Sequence, residues 1–125
     1  MIDMDGSLDA VLVLKRSGVH LASWTKTAVP LDVVPVMAAA TVGSVDTLLE
    51  AFGKSSPREI SLETDGQRLL FTKAEPQIVL VLSAPRAVPE VRLRRETQRL
   101  LRAFARVRRE RVVRPAAMER VPAGR

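Results

Sequence analysis

The chain lacks cysteine and tyrosine, and its 125 residues include one histidine, one tryptophan and three phenylalanines. Without cysteine there is no disulfide, no thiolate metal site and no thiol nucleophile. A single histidine, His20, excludes a multi-histidine metal centre and a two-histidine acid–base pair. The spacings of Walker, Rossmann, Gly-x-Ser-x-Gly and zinc motifs are missing as well. No catalytic residue, metal or cofactor is therefore expected, and the chain reads as a non-enzyme. Long hydrophobic runs are scarce. The longest charge-free stretch of the first half, Val33 to Val45, has 13 residues, too few to span a bilayer. The start, Met1-Ile2-Asp3-Met4-Asp5, lacks the positive region of a secretory signal. A cytoplasmic protein is the expectation.

What is present is enough for a core, since 46% of the residues are hydrophobic. The net charge of +6 is unevenly spread. Residues 1–90 hold 8 Lys and Arg against 11 Asp and Glu, whereas residues 91–125 hold 12 Arg, 3 Glu and no Lys. Such asymmetry reports on a partner surface more than on a fold. Beyond Arg114 the composition shifts to Pro and Ala, which marks a flexible tail over 114–125. The domain proper is expected over 10–113, after a stub of residues 1–9.

Ala10-Val11-Leu12-Val13-Leu14 and Val19 to Thr25 flank Ser17-Gly18 and predict a β-hairpin, with Val19, Leu21 and Ser23 on one side. Residues 32–52 predict a helix, with Asp32 as N-cap, Pro35 in the first turn and Gly53 as the stop. At 100° per residue Val34, Met37, Ala38, Thr41, Val45, Leu48, Leu49 and Phe52 share one face, the expected core face. Val33, Val36, Ala40, Gly43, Ser44, Thr47 and Ala51 form a second stripe, small and uncharged. Asp46 and Glu50 alone supply a charged strip, expected to face solvent. A helix so poor in charge needs cover on two sides.

Arg58 to Glu63 alternates as a strand, Thr64-Asp65-Gly66 turns, and Gln67 to Thr72 returns. Ile78-Val79-Leu80-Val81-Leu82 is apolar throughout and belongs in the middle of a sheet. Pro89 suits the first position of a last helix, whose apolar face holds Leu93, Thr97, Leu100, Leu101, Phe104 and Val107. Beside it Arg92, Arg95, Arg99, Arg102, Arg106 and Arg109 form one row. That row fits a solvated face, an acidic protein partner, or a nucleic acid or anionic membrane surface. His20 and Trp24 read as a surface and a packing residue. The order β β α β β β α gives an α+β, three-layer α/β/α sandwich around a five-stranded antiparallel sheet.

This ordered set resembles the Roadblock/LC7 family in its prokaryotic, MglB-like branch. The resemblance rests on Ala10 to Gly18 with Val19-His20-Leu21-Ala22-Ser23, on the long small-residue helix after Pro30, and on Glu63-Thr64-Asp65-Gly66-Gln67-Arg68-Leu69-Leu70. Ile78 to Leu82 and the closing helix complete it. It implies a profilin-like sheet in the order 2-1-5-4-3; the sequence departs from the family in having only about nine residues, Gly6 among them, before Ala10, so the family's N-terminal helix is expected to be missing or reduced. It also implies a homodimeric, non-catalytic adaptor or scaffold in signalling, acting on a small Ras-like GTPase. The two central helices and third strands would pair across the dimer, through Val33, Val36, Ala40, Gly43, Ser44, Thr47, Ala51, Ile60 and Leu62.

Overall fold

The computed structural model describes residues 8–120, with side-chain surroundings for residues 8–106. Five strands are β1 (Ala10–Lys15), β2 (His20–Thr25), β3 (Glu59–Glu63), β4 (Gln67–Glu75) and β5 (Ile78–Pro85). They form one antiparallel sheet in the order β2-β1-β5-β4-β3. Helices α1 (Val34–Ala51) and α2 (Glu90–Arg120) pack on its opposite faces. The three-layer sandwich and strand order are those expected.

The strand pattern shows why. Residues Ile78 to Leu82 of β5 are all buried, because β1 and β4 flank them and a helix lies over each face. Alternate residues serve opposite layers. Leu12, Leu14, Phe71, Val79 and Val81 meet Ala38 and Val42 of α1, while Val11, Leu70, Leu80, Leu82 and Ala84 meet Leu93 of α2. The first hairpin closes at Gly18, whose φ of +100° suits glycine alone. A Cβ there would also lie 3.3 Å from Cα of Val36, so the glycine lets the start of α1 approach the turn. On β2 the inward anchor is Trp24, paired with Val11 and packed on the α2 side. Val19 and Leu21, expected to be its apolar side, are exposed because β2 is a sheet edge and α1 does not reach over them.

Helix ends differ from expectation in three places. The N-cap of α1 is Val33, with no side-chain cap hydrogen bond, so Asp32 does not cap it; Pro35 sits in the first turn. Pro89 stands just ahead of α2, its carbonyl accepting from the amides of Arg92 and Leu93. Helix α2 runs on past Arg114 through Pro115 to Arg120, where the composition predicts a tail. The expected stop at Gly53 is present. Its φ is +74°, and the amides of Gly53 and Lys54 bond back to the carbonyls of Glu50 and Leu49, a Schellman cap. The stub is described only from Leu8, which is fully buried against Leu82 and Leu93; residues 1–7 lie outside the described residues, as does the surrounding of Val107.

Candidate association surface

Among the described residues the outer side of α1 holds the densest group of exposed large apolar side chains. Val33, Val36, Ala40, Ser44, Thr47 and Ala51 of the small stripe are exposed. Gly43 is half-buried, yet a Cβ built on it would meet no atom within 4 Å. Ala40, Gly43, Ser44, Thr47, Leu48 and Ala51 line an open groove along the helix.

The exposed apolar surface is larger than the sequence implied, because α1 is rolled on its axis. Its buried residues are Pro35, Ala38, Val42 and Asp46, a face centred roughly 85° from the expected one at 100° per residue. Val34, Thr41, Val45 and Leu49 are half-buried at its margin. Met37, Leu48 and Phe52, expected in the core, are 60%, 57% and 69% exposed. They stand beside the small stripe and extend it with large side chains.

Asp46 corrects a second expectation. It is not part of a solvated strip but is 7% exposed. Arg16 Nη2 donates to its Oδ2 at 2.5 Å and Lys73 Nζ to its Oδ1 at 2.8 Å. The first cation comes from the β1–β2 turn and the second from β4, so one carboxylate ties α1 to two separate parts of the sheet. Burial pushes the Asp46 carboxyl up. The hydrogen bonds and charges of Lys73 and Arg16 more than offset that and hold it below its ordinary value. The signal that could have found it is slight: a lone acid one turn beyond Val42 on the helix, and two bases near strand ends. Glu50 is left as the only exposed charge on α1.

By length and composition α1 could cross a membrane. Ala38 and Val42 are already committed to the sheet, so lipid could not surround it.

Strand β3 ends the sheet and, among the described residues, has a neighbour on one side only. Leu62 is exposed on the α1 side of this edge, paired with Leu69. Ile60, expected to serve a dimer contact, is half-buried and packs on its own core beside Phe71 and Val81.

The other helix presents a different face. Arg92, Arg95, Arg99, Arg102 and Arg106 are exposed; Arg109 falls outside the described side chains. Arg99 holds the buried Glu96 with two contacts of 3.1 Å. Arg94, which is not in the row, bridges Glu90 of its own helix and Glu59 of β3. Between α2 and the sheet an apolar cleft of about 200 Å³ is lined by Val11, Val13, Leu80, Leu100, Leu101 and Phe104, among others. It offers no polar group for chemistry. His20 Nε2 lies 2.9 Å from Ser23 Oγ within the first hairpin, a local contact on an exposed strand. Among the described residues no three His, Asp or Glu stand close enough to share a metal ion.

A five-stranded antiparallel sheet in the order 2-1-5-4-3, with one helix on each face and a bare small-residue helix beside a free edge, defines a profilin-like fold of the Roadblock type. The sequence matches the profile of the Roadblock/LC7 domain over residues 4–84, more than half of the chain. The chain belongs to that family, which consists of regulatory adaptors that are generally non-catalytic. Solved structures agree in fold. An MglB described with a tetrameric arrangement superposes with a TM-score of 0.73 at 21% identity, over 84% of this chain and 81% of that one. The gliding protein MglB of Thermus thermophilus gives 0.71 at 22%, over 84% and 82%. A Roadblock/LC7 domain of Streptomyces avermitilis gives 0.70 at 18%, over 90% and 87%. No curated protein matches the sequence.

Proposed function

We propose that this chain is a homodimeric adaptor that presents a platform to a small Ras-like GTPase or a similar signalling partner in the cytoplasm. The observation that carries the reading is the outer side of α1, where Val36, Met37, Leu48 and Phe52 are each more than half exposed beside the small stripe. Exposed apolar area of this kind marks an interaction site. Small side chains at Ala40, Gly43, Ser44, Thr47 and Ala51 allow a second helix to approach closely. The free edge of β3 gives a second strand a row of unpaired amides and carbonyls. Used together, the two features let two copies extend one sheet and pair their α1 helices, with Leu62 near the seam. No catalytic group is needed for such a protein to act on a GTPase, because holding its switch loops changes their order.

Sedimentation equilibrium tests the first half. A dimer is expected, with an interface of roughly 1,600 Å² or more, and Ala40→Glu should split it. A monomer at high micromolar concentration ends the proposal. For the second half, the dimer is used as bait in lysate of its own source; recovery of a small GTPase is expected, and its absence in both nucleotide states removes the GTPase from the reading.

A second reading follows from the exposed arginines of α2. An anionic polymer or lipid surface would bind there with steep salt dependence. Arg95→Glu with Arg102→Glu should abolish such binding and leave the dimer intact. No retention on DNA or acidic vesicles at low salt disposes of it.

A further inference from the structure

We propose that Asp46 is the residue that sets the roll of α1, and that through Arg16 and Lys73 it keeps the association stripe turned outward. The functional meaning rests on the dimer reading above; the structural claim does not.

Helix α1 carries two competing faces. One holds Met37, Val45, Leu48 and Phe52 around Val34, and it has the larger apolar side chains. The other holds Pro35, Ala38, Val42 and Asp46, and it is the one buried. Hydrophobic burial alone favours the first, since the transfer gain grows with apolar area. Three observations account for the second. Asp46 is clasped by Arg16 and Lys73, with the donor nitrogens 2.5 and 2.8 Å from its two oxygens. The Lys73 side chain is itself only 17% exposed. Rolling Asp46 out would leave a mostly buried cation without its partner, which is far costlier than an exposed one. Finally Gly18, lacking a Cβ, admits Val36 to close approach at the turn.

A roll of roughly 85° toward the other face, at 100° per residue, would bury Met37, Leu48 and Phe52 and swing the groove of Ala40, Gly43 and Thr47 out of its present direction. Asp46 is thus a positioning residue. It is buried within the subunit, and it decides which stripe a partner meets.

The absence of cysteine supplies the test. Met37→Cys introduces a single thiol on the exposed stripe, and Ala40→Glu in the same chain removes protection by association. With Asp46 present, the thiol should react with a soluble maleimide at close to the rate of a free peptide thiol. Asp46→Asn, nearly isosteric, should slow it at least tenfold in a folded protein. Mere loosening of the helix would speed labelling or leave it unchanged, so the direction separates a roll from a loss of stability. In the chain with Met37 and Ala40 restored, Asp46→Asn should weaken dimerisation at least tenfold. Labelling and affinity both within twofold of the parent overturn the proposal. If Asp46→Asn does not fold, Lys73→Gln and Arg16→Gln replace it, and labelling unslowed in either folded variant overturns the proposal equally. If the parent is a monomer, the dimer reading fails, while labelling alone still decides the roll.

Discussion

The two helices of this protein solve opposite problems. Helix α2 is amphipathic in the ordinary way: Leu93 and Thr97 are fully buried, and arginines face water. Helix α1 packs with Ala38 and Val42 and turns Met37, Leu48 and Phe52 outward. A helix that buries its best apolar side chains is finished as a monomer. One that exposes them, while burying an aspartate, leaves an apolar surface in water. Periodicity therefore finds the inner face of a helix only where the outer face belongs to water.

Four measurements put this contrast between the helices at risk. Ala40→Glu on α1 places an unpaired charge in the proposed seam. It should cost about 3–5 kcal/mol of association, read by sedimentation, with little change in the melting of the subunit. Leu93→Ala on α2 should do the reverse. It opens a cavity in the core and should lower unfolding free energy by about 2–5 kcal/mol in urea titration, without altering dimer affinity per folded subunit. If each substitution moved the other's readout, the division of labour between the helices would be lost.

Acid should separate the layers more gently. The Asp46 carboxyl is held below its ordinary value by Lys73 and Arg16. A carboxylate with a depressed folded pKa contributes stability that is whole above its unfolded value of about 3.9 and is lost as pH falls through the lower folded value. The difference in melting temperature between the native chain and Asp46→Asn should therefore be constant above about pH 5 and close in stronger acid. A difference that persisted unchanged at the acid end would show that the carboxylate charge is not what matters. Smallest of all, Arg95→Glu with Arg102→Glu should change stability by no more than about 0.5 kcal/mol per site, as surface positions do. A larger loss would mean that the outer face of α2 is itself packed against something.

Much of the fold was legible beforehand. The all-apolar run Ile78 to Leu82 could only sit between two strands and beneath two helices, and β5 does. Gly18 and Gly53 marked a turn and a helix end, and both adopt the positive φ that glycine tolerates. The small stripe on α1 was also legible, since seven uncharged residues at helical spacing do not suit a water-facing surface. The roll was not. Asp46 looked like part of a charged strip because its partners, Arg16 and Lys73, lie 30 and 27 residues away. Nothing local announces that a turn and a strand end will meet beneath a helix. Ile60 is similar: a strand edge is read from the order of strands, but that its side chain packs on its own core depends on the helix above it.

Composition and pattern along the chain determined the elements, their layers and the poverty of charge on α1, because each is a property of neighbours in sequence. Which face of α1 turned inward was decided only when distant charges came together. Apolar burial is non-directional and on area alone favoured the face that was left outside, whereas a buried carboxylate needs its two cations at hydrogen-bond distance and admits one geometry.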